Sequence, residues 1–244
     1  MSGGPDVDSR PRSLLRLTIL LIVSIVGVSG LTTLGAWQLH RRAWKLNLIE
    51  QVDQRIHAVP AAPPGPSQWS AVTAKQDAYR KITLHGVFLN DKETLIESST
   101  VLGPGYWLIT PLQTDEGFII LVNRGFVPPE NKTPATRPQS QIIGETIVTG
   151  LLRITEPKGR LLRANDPAAN HWYSCDVAAI AAARNLPDTA PYYIDADNMP
   201  NPGGIPTGGL TVVAFPNNHL IYAITWFSLA LLLAGTTFII LRDE

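Results

Sequence analysis

One histidine stands at the entrance to an uncharged apolar run. The segment Phe215-Pro-Asn-Asn-His-Leu-Ile-Tyr-Ala-Ile-Thr-Trp226 leads into Leu220–Leu241, and those 22 residues carry no Asp, Glu, Lys or Arg. At about 100° per residue, His219, Tyr222 and Trp226 share one helical face. A neutral imidazole in that position can ligate a metal, and aromatic rings beside it would wall a lipid-soluble cofactor. The same residue types also make an aromatic and polar belt at the level of lipid headgroups. On residue chemistry alone both readings are open.

Other candidates are more isolated. Arg124, in Asn123-Arg-Gly-Phe126, offers a guanidinium fork for a carboxylate, either a local ion pair or a cofactor propionate. Asp195 and Asp197 alternate along one segment, and neither a serine in a nucleophile-elbow context nor a metal-type histidine spacing accompanies His171, so no catalytic constellation forms in the sequence. The Pro/Gly-rich stretch from Asn198 to Gly209 lacks a Gly-Lys-Ser/Thr ending and a following helix, and reads as a structural loop. Cys175 is the single cysteine, which excludes an internal disulfide and any multi-cysteine metal site. With a net charge of zero and no long basic tract, the chain has no electrostatic footprint for nucleic acid.

The elements that must position these groups follow from where the apolar residues lie. Leu17–Leu39 is a second uncharged run. Each run, at about 1.5 Å per residue, reaches the roughly 30 Å of a hydrocarbon core. The first is long for a cleaved signal segment and has no clear Ala-x-Ala site, so a retained helix is expected over residues 14–40. Two spanning helices put both termini on one side and the middle domain on the other. Arginines and lysines flank the membrane about equally on both sides, so charge does not orient the pair. Trp37 and Gln38 end the first run where His219 begins the second, which places the three at similar depth. Ala230 and Ala234, with Gly27 and Gly30, offer small surfaces for close helix approach.

Between the runs, Trp44, Leu48, Val52 and Ile56 recur every four residues and predict an amphipathic extension over 41–59, ended by the prolines from Pro60 to Pro66. The segment 60–218 reads as a β-rich domain. Ile82–Phe88 alternates and turns at Asn90-Asp91 into a hairpin with Thr94–Ile96. Tyr106–Leu112 and Phe118–Val127 flank a turn at Thr114–Gly117, and Thr146–Ile154, Pro191–Asp195 and Leu210–Phe215 supply further strands. Asp176 caps a short alanine-rich helix, Val177–Arg184. The expected fold is therefore a membrane-anchored α+β protein. Two transmembrane helices flank a mainly antiparallel β domain, barrel- or sandwich-like, with one short helix. Residues 1–13 read as a disordered tail and 242–244 as a short terminal one.

Several motifs in this order resemble one family. They are Leu34-Gly-Ala-Trp-Gln38 with Arg42-Ala-Trp-Lys45, Gly105-Tyr-Trp-Leu-Ile-Thr-Pro-Leu112, Leu121-Val-Asn-Arg-Gly-Phe-Val-Pro128, Pro191-Tyr-Tyr-Ile-Asp-Ala-Asp197, and Pro216-Asn-Asn-His-Leu220 with Tyr222-Ala and Thr225-Trp226. Together they span roughly residues 34–230 and resemble the Surfeit locus protein 1 family of cytochrome c oxidase biogenesis factors. Phe126 stands where many members have Trp.

The resemblance implies a bacterial inner-membrane protein with its central domain in the periplasm and residues 242–244 in the cytoplasm. It also implies a non-enzymatic role: helping heme a reach the oxidase's catalytic subunit, with heme a synthase and membrane lipid as further partners. His219 would be the axial iron ligand, with Tyr222, Trp226, Trp37 and Gln38 lining the site and Arg124 as a propionate partner. A heme-free scaffold for oxidase subunits or heme synthase is the first alternative. A periplasmic hydrolase using His171 with Asp195 or Asp197 is the second.

Overall fold

An unbroken supply of Leu, Ile and Val, without proline, carries helix α1 from Leu14 to Ile56. It stops four residues before Pro60. The computed structural model describes residues 14–198, 201–211 and 213–243. The expected tail 1–13 lies outside the described residues, as do Met199 and Pro200 of the Pro/Gly loop and Val212 of the expected last strand. The chain divides into a helical unit, residues 1–50 with 214–244, and a β unit, residues 51–213.

In the helical unit, α1 meets the C-terminal helix α4 (His219–Arg242). Both are long and apolar enough to cross a membrane. The buried positions of α4 are Ala223, Ala230 and Thr237, seven residues apart. On α1, Ser24 and Gly35 are buried, with Leu31 and Gln38 half-buried between and beyond them. This is the 3.5-residue spacing of a coiled-coil seam, filled here by small side chains. A Cβ on Gly35 would lie 2.7 Å from the Phe227 ring, and one on Gly27 2.7 Å from Leu233. Ser24 Oγ and Thr237 Oγ1 are 2.7 Å apart in the seam. Of the small residues expected at this contact, Gly27 and Ala230 take part. Ala234 is exposed and Gly30 has open space beside it. The four-residue Ala230–Ala234 spacing fails because the seam follows a seven-residue period.

The β unit is a closed barrel. Its strands are β1 (Lys81–Phe88), β2 (Thr94–Thr100), β3 (Gly103–Thr114), β4 (Ile119–Val127), β5 (Glu145–Ile154), a small hairpin of β6 (Gly159–Arg160) and β7 (Arg163–Ala164), and β8 (Thr189–Ala196). The sheet runs β1-β5-β8-β4-β3 and closes by β3 pairing back onto β1. Closure removes the free edges that an open five-stranded sheet would expose. All ladders in the barrel are antiparallel except β4 with β8, which is parallel.

The hairpin expected between Ile82–Phe88 and Thr94–Ile96 does not form. Asn90–Lys92 make a single 3-10 turn. Strand β3, at 12 residues, is long enough to serve two partners along one edge: Gly103–Ile109 pair with β2 and Leu112–Thr114 with β1. The strand expected at Leu210–Phe215 is also absent among the described residues. The nearest pairing is an isolated bridge between Thr207 and Phe126. It passes so close that a Cβ on Gly125, whose φ is +129°, would lie 2.3 Å from the Thr207 oxygen.

Two cores explain the patterning. Ile82, Leu84, Phe88, Ile120, Val122, Val148, Tyr192 and Ile194 fill the barrel. On the other face of β4, Ile119 and Leu121 pack with Trp172, Cys175 and Ile180 beneath α3 (Val177–Arg184). Every residue of β4 is buried, and its first half, Ile119–Val122, reads as a continuous apolar run instead of an alternating one. Asp176 caps α3, accepting from the Ala179 amide at 3.1 Å. The last turn of α1 belongs to this unit. Arg55 donates to the carbonyls of Ala78 (3.1 Å) and Lys75 (2.6 Å), residues at the end of and within the one-turn helix α2 (Ala74–Asp77).

Candidate functional site

Pro216 and two asparagines precede α4, so the helix starts abruptly at His219 with Asn218 as its N-cap. The Tyr222 amide reaches the Asn218 carbonyl at 3.3 Å and closes the first turn. His219 is half-buried, and its Nδ1 lies 2.8 Å from Gln38 Oε1 across the seam. Gln38 is the one hydrogen-bond partner of the His219 ring among the described residues. With Oε1 as the acceptor, Nδ1 carries the proton and Nε2 keeps its lone pair.

Around this pair the unit presents the surfaces that a flat aromatic ligand needs. Trp37 is 55% exposed and Tyr222 54%, so about half of each residue's surface stays free. Trp226 is half-buried on the seam side. An imidazole lone pair beside half-open aromatic rings fits an iron porphyrin held by one axial nitrogen. Among the described residues, no cluster of three His, Cys, Asp or Glu side chains competes for a metal.

The expected residues therefore divide. His219, Gln38, Trp37, Tyr222 and Trp226 belong to the helical unit, with His219 and Gln38 in direct contact. Arg124 belongs to the β unit and is 1% exposed. Its Nη2 donates to the Ser140 carbonyl (2.8 Å) and to Asn201 Oδ1 (3.1 Å), and its guanidinium stacks 4.8 Å from the Phe88 ring. Nε and Nη1 have no partner among the described residues. Burial lowers its pKa to about 10, against the opposing pull of Glu93. The local ion pair expected at Arg124 is absent among the described residues, because the nearby Glu93 carboxylate is taken by the buried Arg137. That Glu93–Arg137 pair was not visible in sequence: the partners are 44 positions apart and meet only when 3-10 turns fold the segment 129–140 over the barrel.

The hydrolase arrangement is not assembled. Asp195 lines a cavity of about 210 Å³ with Arg153, Tyr193 and Cys175. Both its oxygens are engaged, by Asn123 Nδ2 at 2.9 Å and Arg153 Nη1 at 2.5 Å. Asp197 pairs with Lys81 at 3.6 Å. His171 opens on a different cavity, beside Glu93, Tyr106 and Arg184. Burial pushes the Cys175 thiol well above its ordinary pKa, which leaves it without nucleophilic character.

Two membrane-length helices that flank a closed barrel, with a histidine and a glutamine in contact at the seam's mouth, define a two-helix barrel protein. The profile of the SURF1 family matches residues 25–231. The chain is 34% identical to Surfeit locus protein 1 of Homo sapiens over 229 residues, covering 87% of this chain and 73% of that protein. It is 36% identical to Surfeit locus protein 1 of Rattus norvegicus (86% and 70%) and 32% identical to the SURF1-like protein of Drosophila melanogaster (86% and 72%). The chain belongs to the SURF1 family, known as cytochrome c oxidase assembly factors.

Proposed function

We propose that this protein binds heme a at His219 and assists its delivery to the catalytic subunit of cytochrome c oxidase. The observation that carries the reading is the half-buried imidazole at the mouth of a membrane-length seam, with one nitrogen engaged and the other open. When bound, heme a would supply an iron that accepts the Nε2 lone pair and a farnesyl tail that partitions into lipid. The chain's own residues do the rest. His219 would donate its lone pair, Trp37 and Tyr222 would line the bound ring, and Trp226 would close the seam side. The proposal does not draw on Arg124, whose unpartnered donors are enclosed in the β unit.

The same reading puts α1 and α4 in a bacterial inner membrane, the barrel in the periplasm, and heme a synthase and membrane lipid among the partners. No turnover is assigned to the protein. Copurification tests it. Protein extracted in detergent from cells that make heme a is expected to carry heme a by pyridine hemochrome assay, and His219→Ala to carry several-fold less. Heme in neither would favour a heme-free scaffold for oxidase subunits or heme synthase, and equal heme in both would remove His219 as the ligand.

A further inference from the structure

We propose that Gln38 is the positioning residue of His219. Its amide oxygen holds the imidazole in the Nδ1-protonated tautomer and turns Nε2 toward the ligand. The inference rests on the heme reading and deepens it.

Three observations carry it. The contact is 2.8 Å, within the range of a well-formed hydrogen bond. Both residues occupy seam positions. Gln38 is seven residues beyond Leu31 and three beyond Gly35, and His219 is four before Ala223, so neither side chain is a freely rotating surface group. The backbone beneath them is fixed by close packing: Gly35, one turn from Gln38, lies against the Phe227 ring. A histidine that ligates through one nitrogen usually has the other fixed by a second-shell acceptor, which sets both tautomer and ring orientation.

The identity of the acceptor matters too. A carboxylate in this place would draw the proton further and make Nε2 a stronger donor. A neutral amide orients the ring with less added basicity. That combination suits a site that must hold iron and then give it up. The competing role for a polar pair in a coiled-coil seam, where Ser24 and Thr237 also meet, is to fix helix register.

Full-length protein in detergent, without heme, gives the first arm of the test. Nitrogen-15 NMR of the imidazoles, with His219 assigned by its loss in His219→Ala among the five histidines, is expected to show Nδ1 protonated and Nε2 bare. In Gln38→Leu the ring should shift toward the Nε2-protonated tautomer. The second arm is titration with ferric heme a. Gln38→Leu is expected to weaken binding by about tenfold to a hundredfold, and Gln38→Glu to restore it.

Both arms are repeated with Ser24→Cys and Thr237→Cys joined as a disulfide, so that helix separation cannot account for a loss. A bare Nδ1 in the wild type, or a tautomer that Gln38→Leu leaves unchanged, would overturn the positioning role. Heme affinity unchanged in Gln38→Leu would also overturn it and leave register as the function of the contact. The NMR arm needs no heme. Absence of a heme spectrum in every variant, with the tautomer responding to Gln38, would therefore identify the heme reading as the part that failed.

Discussion

Glu93 and Arg137 form the ion pair on which the segment folded over the barrel depends. Arg137 is 1% exposed and Glu93 10%, and Arg124 lies close enough to feel the same carboxylate. Neutralising Glu93 strands Arg137 as a buried, uncompensated charge and removes the anion that offsets Arg124. Glu93→Gln is expected to destabilise the β unit by about 3–5 kcal/mol in urea denaturation, whereas replacing both partners by apolar residues of similar volume should cost much less. A loss below about 1 kcal/mol for Glu93→Gln would show that water reaches the pair. At this scale the sequence was only partly legible. His219 stood out because a titratable ring beside an apolar run is conspicuous. Glu93 did not, because nothing local distinguishes it from a solvated surface acid.

The paired helices and the barrel strands show the same contrast between local and long-range signals. The long apolar runs, the turn at Thr114–Gly117 and the Asp176 cap are written in contiguous residues, and each forms the element expected. The β1–β2 hairpin and the strand at Leu210–Phe215 were misread. Strand partners are chosen by barrel closure and not by the nearest turn, and the described residues of Leu210–Phe215 lie outside the sheet. The helix seam carries its own test. Ser24→Cys with Thr237→Cys should form an intramolecular disulfide under mild oxidation, since the native hydroxyls are 2.7 Å apart. After proteolysis between the helices, the fragments should stay joined on non-reducing gels. Adding Gly35→Leu should abolish the link by driving a side chain into Phe227. Cross-linked dimers in place of the internal bridge would contradict the intramolecular seam.

The whole molecule combines a membrane-length helix pair with a closed barrel, and its orientation is the property least legible in the residues, because flanking charges balance. Leu161, at the tip of the β6–β7 hairpin, is 92% exposed, while the native Cys175 is buried. Leu161→Cys is therefore expected to react with a membrane-impermeant maleimide in cells whose outer membrane alone has been opened. Labelling only after the inner membrane is broken would place the barrel in the cytoplasm and exclude the proposed topology.

The central claim is that His219 ligates heme a, and a spectroscopic titration addresses it most directly. Ferric heme a added to purified wild-type protein should give a saturable, histidine-ligated Soret band, and His219→Ala should lose at least tenfold in affinity together with that band's position. Identical spectra and affinities for the two proteins would contradict the account.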